Sequence, residues 1–370
     1  MALTWIEISQ ANLWHNLAQF KKLCPQSEIW PVIKSNAYGH GLELVANILA
    51  QSQDCSGLMV VSLEEALFLS RRVSKKIMVL SFWERNEKDL LQAADKKISL
   101  PIYDLATANY LDDLGKKNNK SFLINIKIDT GTSRLGFRIE EAREAISKIR
   151  EKSNLSIFSI FTHYAESESE DLVFSQKQLA DFLQIKNEFS DLKMHSACSA
   201  AALSLPQSRE NIVRLGLSLY GLWPSSSAEK RGQDFGVSLK PVLSFKTKII
   251  QVKKILKGES IGYNRTYLTK GDIKLAIIPV GYYDGYSRLL SNKAKVLIKG
   301  KEYNIRGNIC MNLAMIEIPQ ADEVRAGETV TLIGQDGLFE IKADDLAYLS
   351  GTINYETVTR LNPNIKRIVV

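Results

Sequence analysis

Between residue 29 and about residue 221 the chain repeats one rhythm eight times: a short, nearly continuous apolar run, then a stretch whose apolar residues recur every three or four positions. The runs are EIWPVIK (28–34), GLMVVS (57–62), KIMVLSF (76–82), KISLPIYD (97–104), SFLINIKID (121–129), LSIFSIFTH (155–163), LKMHS (192–196) and NIVRL (211–215). The intervening segments, such as GLELVANILAQS, IEEAREAISKIREK and DLVFSQKQLADFLQIKNEF, have the period of amphipathic helices. Strands that are apolar on both faces belong to parallel sheets covered by helices. Two parallel arrangements compete, an open doubly wound sheet and a closed barrel. The count of eight favours the (β/α)8 TIM-type barrel.

After about residue 235 the rhythm changes to alternating strands joined by turns: LSFKTKIIQVKKIL, DIKLAIIPVGY, KAKVLIKGKEYNI, LAMIEI and GETVTLIG, with IKADDLAYLSG as the first long helical stretch. The expected organisation is therefore α/β. Residues 1–235 form the barrel, with the first strand residues free to join the other domain, and residues 236–370 form a mostly antiparallel β domain. The polar, Gly- and Ser-containing stretch 223–236, WPSSSAEKRGQDFG, reads as the linker. At 370 residues the chain is about right for two domains.

The net charge of +7 comes from 48 basic and 41 acidic residues scattered along the chain, without the basic block that nucleic acid would require. No apolar run is long enough to span a membrane, and the first residues lack the pattern of a secretory signal. The four cysteines, Cys24, Cys55, Cys198 and Cys310, are far apart, with neither metal-site nor disulfide-framework spacing. A cytoplasmic protein with no metal and no membrane or nucleic-acid partner is expected.

In a barrel of this type chemistry collects at the carboxyl ends of the strands. Lys34 ends the first run, Arg134 follows the fifth, His163 ends the sixth, and Ser199, Arg214, Gly216 and Leu217 lie at or after the seventh and eighth. Singly, each has a plain reading: a solvated lysine, a core histidine, a surface arginine, a glycine in a tight turn. Their common placement at one face argues for function. The last two loops are the usual phosphate site of such barrels, and Ser199 and the Gly216 and Leu217 amides suit a phosphate. A phosphate at one rim and a lysine across the mouth suggest pyridoxal 5'-phosphate held as a Schiff base, since a desolvated lysine gives up its proton.

At this point the chain resembles a known family. PVIKSNAYGHG closely resembles the cofactor-lysine signature of alanine racemases, and KIDTGTSRLGF, FTHYA, VRLGLSLYG, IGYNRTY, IPVGYYDGYSR, GNICMN and GTINYE continue the likeness in family order over nearly the whole chain. The resemblance implies that Lys34 holds the cofactor and is one of two bases, and that Tyr263, from the partner subunit of a head-to-tail homodimer, is the other. It implies that Tyr38, Ser199, Gly216, Leu217 and Tyr355 hold the phosphate, that Arg214 faces the pyridine nitrogen and that His163 lies against the ring. Arg134 and the Met311 backbone would receive the substrate carboxylate. Lys127 matches a lysine carbamylated in some relatives, and Tyr282 and Arg288 would line the entrance. The implied activity is interconversion of L- and D-alanine, supplying D-alanine for peptidoglycan. Racemisation removes the Cα proton on one face and returns one on the other, which suits one base per face.

Four positions depart from the family pattern: Cys198 where Asn is usual, Leu215 for a proline, and Asn308 and Asn312 for Arg and Asp. The last two alter charge near the substrate end and the approach, so a racemase for serine, lysine or a broader range is the nearest rival. A decarboxylase of the same architecture needs a catalytic Cys and acid in the β domain, and Cys310 is followed by Met-Asn. A non-catalytic binding protein for the same cofactor would not need the full β domain with Tyr263.

Overall fold

A computed structural model describes residues 3–370. The chain separates into two compact units. One holds Ala11–Ala37 and Val45–Lys240. The other holds the residues up to Gln10, Tyr38–Leu44 and Pro241–Val370.

In the first unit the strands are β2 (Glu28–Pro31), β3 (Leu58–Ser62), β4 (Ile77–Phe82), β5 (Leu100–Ile102), β6 (Phe122–Asp129), the short β7 (Phe137–Arg138) paired to β6, β8 (Leu155–Phe161), β9 (Lys193–His195) and β10 (Ile212–Leu215); β1 (Thr4–Ile8) belongs to the second unit. Parallel ladders join β10 to β2, β3 to β4, and β5 through β6 and β8 to β9. Parallel bridges at Val32–Met59, Met78–Ser99 and Cys198–Arg214 link these groups, so eight strands close on themselves. The closed ring leaves no unpaired strand edge.

Helices follow the strands, and several start on side-chain caps: Ser62 accepts from the Glu65 N–H, Asn86 from Asp89, and Asp104 from Thr107. Strand β6 shows why these runs read as apolar throughout. Ile124, Ile126 and Ile128 take one face, while Asn125, Lys127 and Asp129 take the other, and all except Asp129 are buried. Gly57 is needed for close approach: a Cβ there would lie 2.6 Å from the buried Trp30 ring.

One expectation is corrected. The stretch 223–236, read above as the linker, lies inside the first unit and carries the helix Ser226–Asp234, capped by Ser225. Its composition hides the helix because tertiary hydrogen bonds anchor it. The Ser225 hydroxyl donates to the Glu168 carbonyl, and the Arg231 guanidinium donates to the Ser169 and Glu170 carbonyls.

The second unit adds β11 (Leu243–Lys248), β12 (Gln251–Ile255), β13 (Ser260–Ile261), β14 (Tyr267–Leu268), β15 (Ile273–Ile278), β16 (Lys295–Ile298), β17 (Lys301–Asn304), β18 (Ala314–Ile318), β19 (Thr329–Asp336), β20 (Phe339–Ile341) and β21 (Lys366–Val369). Its main sheet runs β17-β16-β19-β11-β1-β21, antiparallel except for the last pair, with β20 on β19. A second sheet runs β12-β15-β18, and β13 pairs with β14. Strand β11 buries Leu243, Phe245 and Thr247 and leaves the residues between them half-buried, the alternation of a one-sided strand.

Candidate active site

Lys34 lies three residues beyond β2, at the start of an unusual turn: Ser35, Asn36, Ala37 and Tyr38 have φ of 55°, 55°, 52° and 53°. Left-handed backbone costs a non-glycine residue roughly 1–2 kcal/mol, so four in succession must be held. Glu65 provides one tie. Its carboxylate accepts from the Ser35 N–H at 2.7 Å and from the Val61 N–H at 3.0 Å. The Ala37 N–H also closes onto the Ile33 carbonyl at 2.9 Å. The Lys34 amine is held below its ordinary value, first by burial and then by the Arg134 cation, against the pull of Glu65.

Arg134 is carried by a loop folded around Asp129. One carboxylate oxygen accepts from the N–H groups of Gly131, Thr132 and Ser133, and the other from the Arg134 N–H at 3.0 Å. Those bonds outweigh desolvation and keep Asp129 ionised to lower pH than usual. Two residues back along β6, Lys127 is buried. Burial, then Arg134 and Arg214, push its amine down from 10.5 to about 8. Its Nζ sits 5.4 Å from the centre of the Phe161 ring.

Arg214, on β10, is buried and forms no ion pair among the described residues. Nη1 donates to His195 Nδ1 at 2.9 Å and to the His195 carbonyl at 2.8 Å. Nη2 donates to the Thr162 and Ser196 carbonyls at 2.8 and 2.7 Å and to His163 Nδ1 at 3.1 Å. All five acceptors are neutral. Because arginine can only donate, both Nδ1 atoms are unprotonated. The chain continues inward: the His195 Nε2–H donates to Ser159 Oγ at 3.0 Å, and the Ser159 hydroxyl donates to Asn125 Oδ1 at 2.7 Å. Burial, then the Arg214 cation, hold both His163 and His195 neutral, with Lys127, Arg134 and Lys34 adding to the effect at His163. Phe161 stacks on His195, with ring centres 5.0 Å apart. Glu210 is buried one hydroxyl away, accepting from Ser196 Oγ at 3.1 Å, and burial raises its carboxyl to about 7.

At the ends of β9 and β10, Ser199 Oγ accepts from the Gly216 N–H at 3.0 Å and the Ser218 N–H at 3.4 Å. The Ser218 hydroxyl is buried with no hydrogen-bond partner among the described residues. The Ser199 hydroxyl and the unsatisfied buried Ser218 hydroxyl at these strand ends, together with a depressed lysine, two arginines and Lys127, form a donor set suited to an anionic cofactor that attaches to an amine.

In the second unit Tyr38 and Tyr355 face each other with ring centres 6.4 Å apart. Gly39 approaches the Val358 carbonyl so closely that a Cβ would lie 2.0 Å from its oxygen. The remaining expected residues share one platform there. The Tyr282 and Tyr283 N–H groups donate to the Cys310 and Met311 carbonyls at 3.1 and 3.0 Å. The Ile309 N–H donates to Ser291 Oγ at 2.9 Å, just beyond the turn that carries Arg288. Tyr263 is 72% exposed, Met311 54% and Tyr282 45%. The structure thus gathers Lys34, Lys127, Arg134, His163, Ser199, Arg214, Gly216 and Leu217 in the barrel unit, and Tyr38 with Tyr355, and Tyr263 with Tyr282, Arg288 and Met311, in the β unit.

Two family descriptions match the chain: the alanine racemase N-terminal domain over residues 8–224 and the alanine racemase C-terminal domain over residues 242–369. The chain belongs to the alanine racemase family. An alanine racemase from Carboxydothermus hydrogenoformans is 35% identical to this racemase over 376 residues, covering 100% of both chains. The solved alanine racemase of Clostridium difficile 630 superposes with a TM-score of 0.92 at 30% identity, covering 100% of this chain and 96% of that one. A histidine racemase from Leuconostoc mesenteroides superposes with a TM-score of 0.87 at 27% identity, covering 100% and 98%.

Several residues of the racemase escaped the sequence reading. His195 offered one signal, being one of four histidines and sitting at a strand end. Glu65, Ser159 and Asn125 offered none, because each acts through a partner remote in sequence. Asp129 was visible only as part of KIDTGTSRLGF.

Proposed function

We propose that this member of the alanine racemase family interconverts L- and D-alanine with pyridoxal 5'-phosphate, using Lys34 on one face of the substrate and Tyr263 of the partner subunit on the other. The observation that carries the proposal is the cation cluster of the barrel: a lysine amine depressed by burial and Arg134, and a buried arginine whose acceptors are all neutral, both acting on the buried Lys127. When bound, the cofactor supplies an electron sink for the carbanion at Cα.

The roles follow from the chemistry of the side chains. Lys34 Nζ, its amine held below the ordinary value by burial and by Arg134, would hold the cofactor covalently and would take or return the proton on its face of the substrate. Arg134 and the Met311 N–H receive the substrate carboxylate, and the Asp129-centred loop sets Arg134 in position. The phosphate falls to Ser199, Gly216 and Leu217, with Tyr38 and Tyr355. Arg214 would face the ring nitrogen as a donor that does not part with its proton, which would weaken the electron sink the cofactor supplies. A weaker sink would disfavour transamination. His163, held neutral, would lie against the cofactor ring. Tyr282 and Arg288 line the approach.

The two-fold, head-to-tail homodimer has its support in the exposed Tyr263, Tyr282 and Met311, a cluster of large side chains of the sort that marks an interface. Free Cys24, Cys55, Cys198 and Cys310 suit the cytoplasm, and no helix among the described residues is long and apolar enough to cross a membrane. Supply of D-alanine for peptidoglycan is the role this reading implies. A second substrate reading has its own observation. The same architecture serves a histidine racemase, and Asn312, where the family pattern has an acid, is exposed.

The test is direct. With cofactor at saturation, L-alanine, L-serine, L-lysine and L-histidine are each supplied to the purified protein, and the D-enantiomer is followed by chiral chromatography. D-Alanine formed fastest supports the proposal. Turnover of another amino acid in its place moves the substrate assignment, and no turnover of any refutes the racemase reading.

A further inference from the structure

We propose that Asn308 is the positioning residue for Tyr263, acting on its main chain. The proposal rests on the reading of Tyr263 as the second base.

The turn that carries Tyr263 is poorly held by its own residues. Gly262, Asn264 and Arg265 are left-handed, with φ of 72°, 60° and 52°. Its internal bonds are long: the Arg265 N–H to the Gly262 carbonyl at 3.4 Å, and Arg265 Nε to Ser260 Oγ at 3.3 Å. Within its own chain Tyr263 is 72% exposed, so its own subunit holds it mainly through the main chain. Against that background the Asn308 amide donates to the Tyr263 carbonyl at 2.9 Å. This is the shortest bond on the turn, and it lands on the residue that carries the phenol.

Asn308 can impose a position because it is itself fixed. It is buried. On one side the Gly307 N–H donates to Asn292 Oδ1 at 2.7 Å, and on the other the Ile309 N–H donates to Ser291 Oγ at 2.9 Å. Backbone lies against backbone here. A Cβ on Gly262 would meet the Asn308 nitrogen at 3.3 Å and the Met315 methyl at 2.9 Å, and one on Gly307 would meet the Ile261 carbonyl oxygen at 2.6 Å. Beneath the turn, Ile261, Ile273, Leu275 and Met315 form a buried cluster. The segment holding Asn308 runs on to Met311, whose carbonyl accepts from the Tyr283 N–H. One asparagine therefore ties the turn of the proposed base to the loop of the proposed carboxylate site.

The chemistry of an amide suits this role, and an acid or a bare methyl does not. Asn308→Asp would set carboxylate oxygens against the Tyr263 carbonyl, acceptor against acceptor, and Asn308→Ala would leave the carbonyl without its donor. Either change frees the turn, and a reacting group displaced by about 1 Å loses on the order of 10²-fold in rate. Only the direction that begins with Tyr263 suffers in full. Loss of proton from D-alanine begins with Lys34, which Asn308 does not touch.

The experiment measures solvent-deuterium incorporation at Cα by NMR, separately from L- and D-alanine, for the parent holoenzyme, Asn308→Asp, Asn308→Ala and Tyr263→Phe. Thermal melting and cofactor absorbance are recorded for each. The expected result is exchange from L-alanine reduced on the order of 10- to 10²-fold in both Asn308 variants, exchange from D-alanine within about twofold of the parent, and unchanged cofactor absorbance. If Asn308→Asp does not fold, Asn308→Ala carries the same comparison. Equal losses in both directions would mean a general structural role, and no loss would mean that the bond is idle; either overturns the proposal while Tyr263→Phe remains asymmetric. If Tyr263→Phe itself shows no asymmetry, the reading of Tyr263 fails, and the proposal fails with it.

Discussion

Lys127→Met tests the electrostatics of the barrel unit more sharply than any catalytic knockout. The native lysine is buried among Arg134, Arg214 and Lys34, and its amine is pushed from 10.5 to about 8. A fall of that size is a penalty of roughly 3 kcal/mol on the charged form in the folded state. The sign follows from linkage. The folded value lies below the unfolded one, so the folded state binds fewer protons between the two and stability rises with pH across that window. The penalty is present in full below about pH 8 and is gone above 10.5. Methionine keeps most of the shape and removes the charge. It also loses the attraction to the buried Phe161 ring, worth about 2 kcal/mol where the pair is desolvated. The difference leaves a net gain of about 1 kcal/mol for Lys127→Met at pH 7, shrinking toward zero by pH 10.5, where the folded amine carries no charge.

The assay is urea unfolding of parent and variant in carbon-dioxide-free buffer from pH 7 to 10.5, at fixed protein and cofactor concentration, because both bind the folded state. Lys127→Met should unfold at higher urea at pH 7, and the gap should close as pH rises. A variant no more stable than the parent at pH 7, or a gap independent of pH, would refute the picture of a penalised buried cation. Carbamylation makes the opposite prediction in bicarbonate. About half the amines are neutral near pH 8, and a neutral amine adds carbon dioxide with loss of a proton. The carbamate then sits beside two arginines, so the parent should gain stability and overtake Lys127→Met. Bicarbonate without effect on the parent would rule that modification out.

Borohydride reduction of the holoenzyme followed by peptide mapping should place the cofactor on Lys34; label on any other lysine would remove Lys34 from its proposed role. For the dimer, Lys34→Ala and Tyr263→Phe should each be nearly inactive, yet co-refolding them in equal amounts should restore about a quarter of the sites, since half of randomly mixed dimers hold one intact pair. Activity no higher than the mean of the two parents would mean that each site is built from a single chain.

The barrel was legible because parallel strands buried on both faces write themselves as continuous apolar runs, and all eight runs contain strands of the closed ring. One of these apolar runs, SFLINIKID, also carries the site. Its alternate residues Asn125, Lys127 and Asp129 are the polar side of the site, an alternation masked by three isoleucines. The helix at 226–234 was illegible for the opposite reason. Ser-Ser-Ala-Glu-Lys-Arg-Gly carries no apolar stripe, and its anchors are main-chain carbonyls more than 55 residues away. The same distinction sorts the site residues. Lys34, Arg134, His163 and Arg214 stand at strand ends, where position alone speaks. Glu65 reads as an ordinary acid in the first turn of a helix, yet its carboxylate reaches back to the strained turn after Lys34. Asn308 reads as the loss of an arginine's charge, yet it is buried and its amide holds a carbonyl. A departure from a family pattern is visible as a change of residue type, but what the new residue does is set by the acceptor within its reach. At position 308 the reachable acceptor is the main chain of the proposed base, so the substitution bears on geometry before it bears on charge.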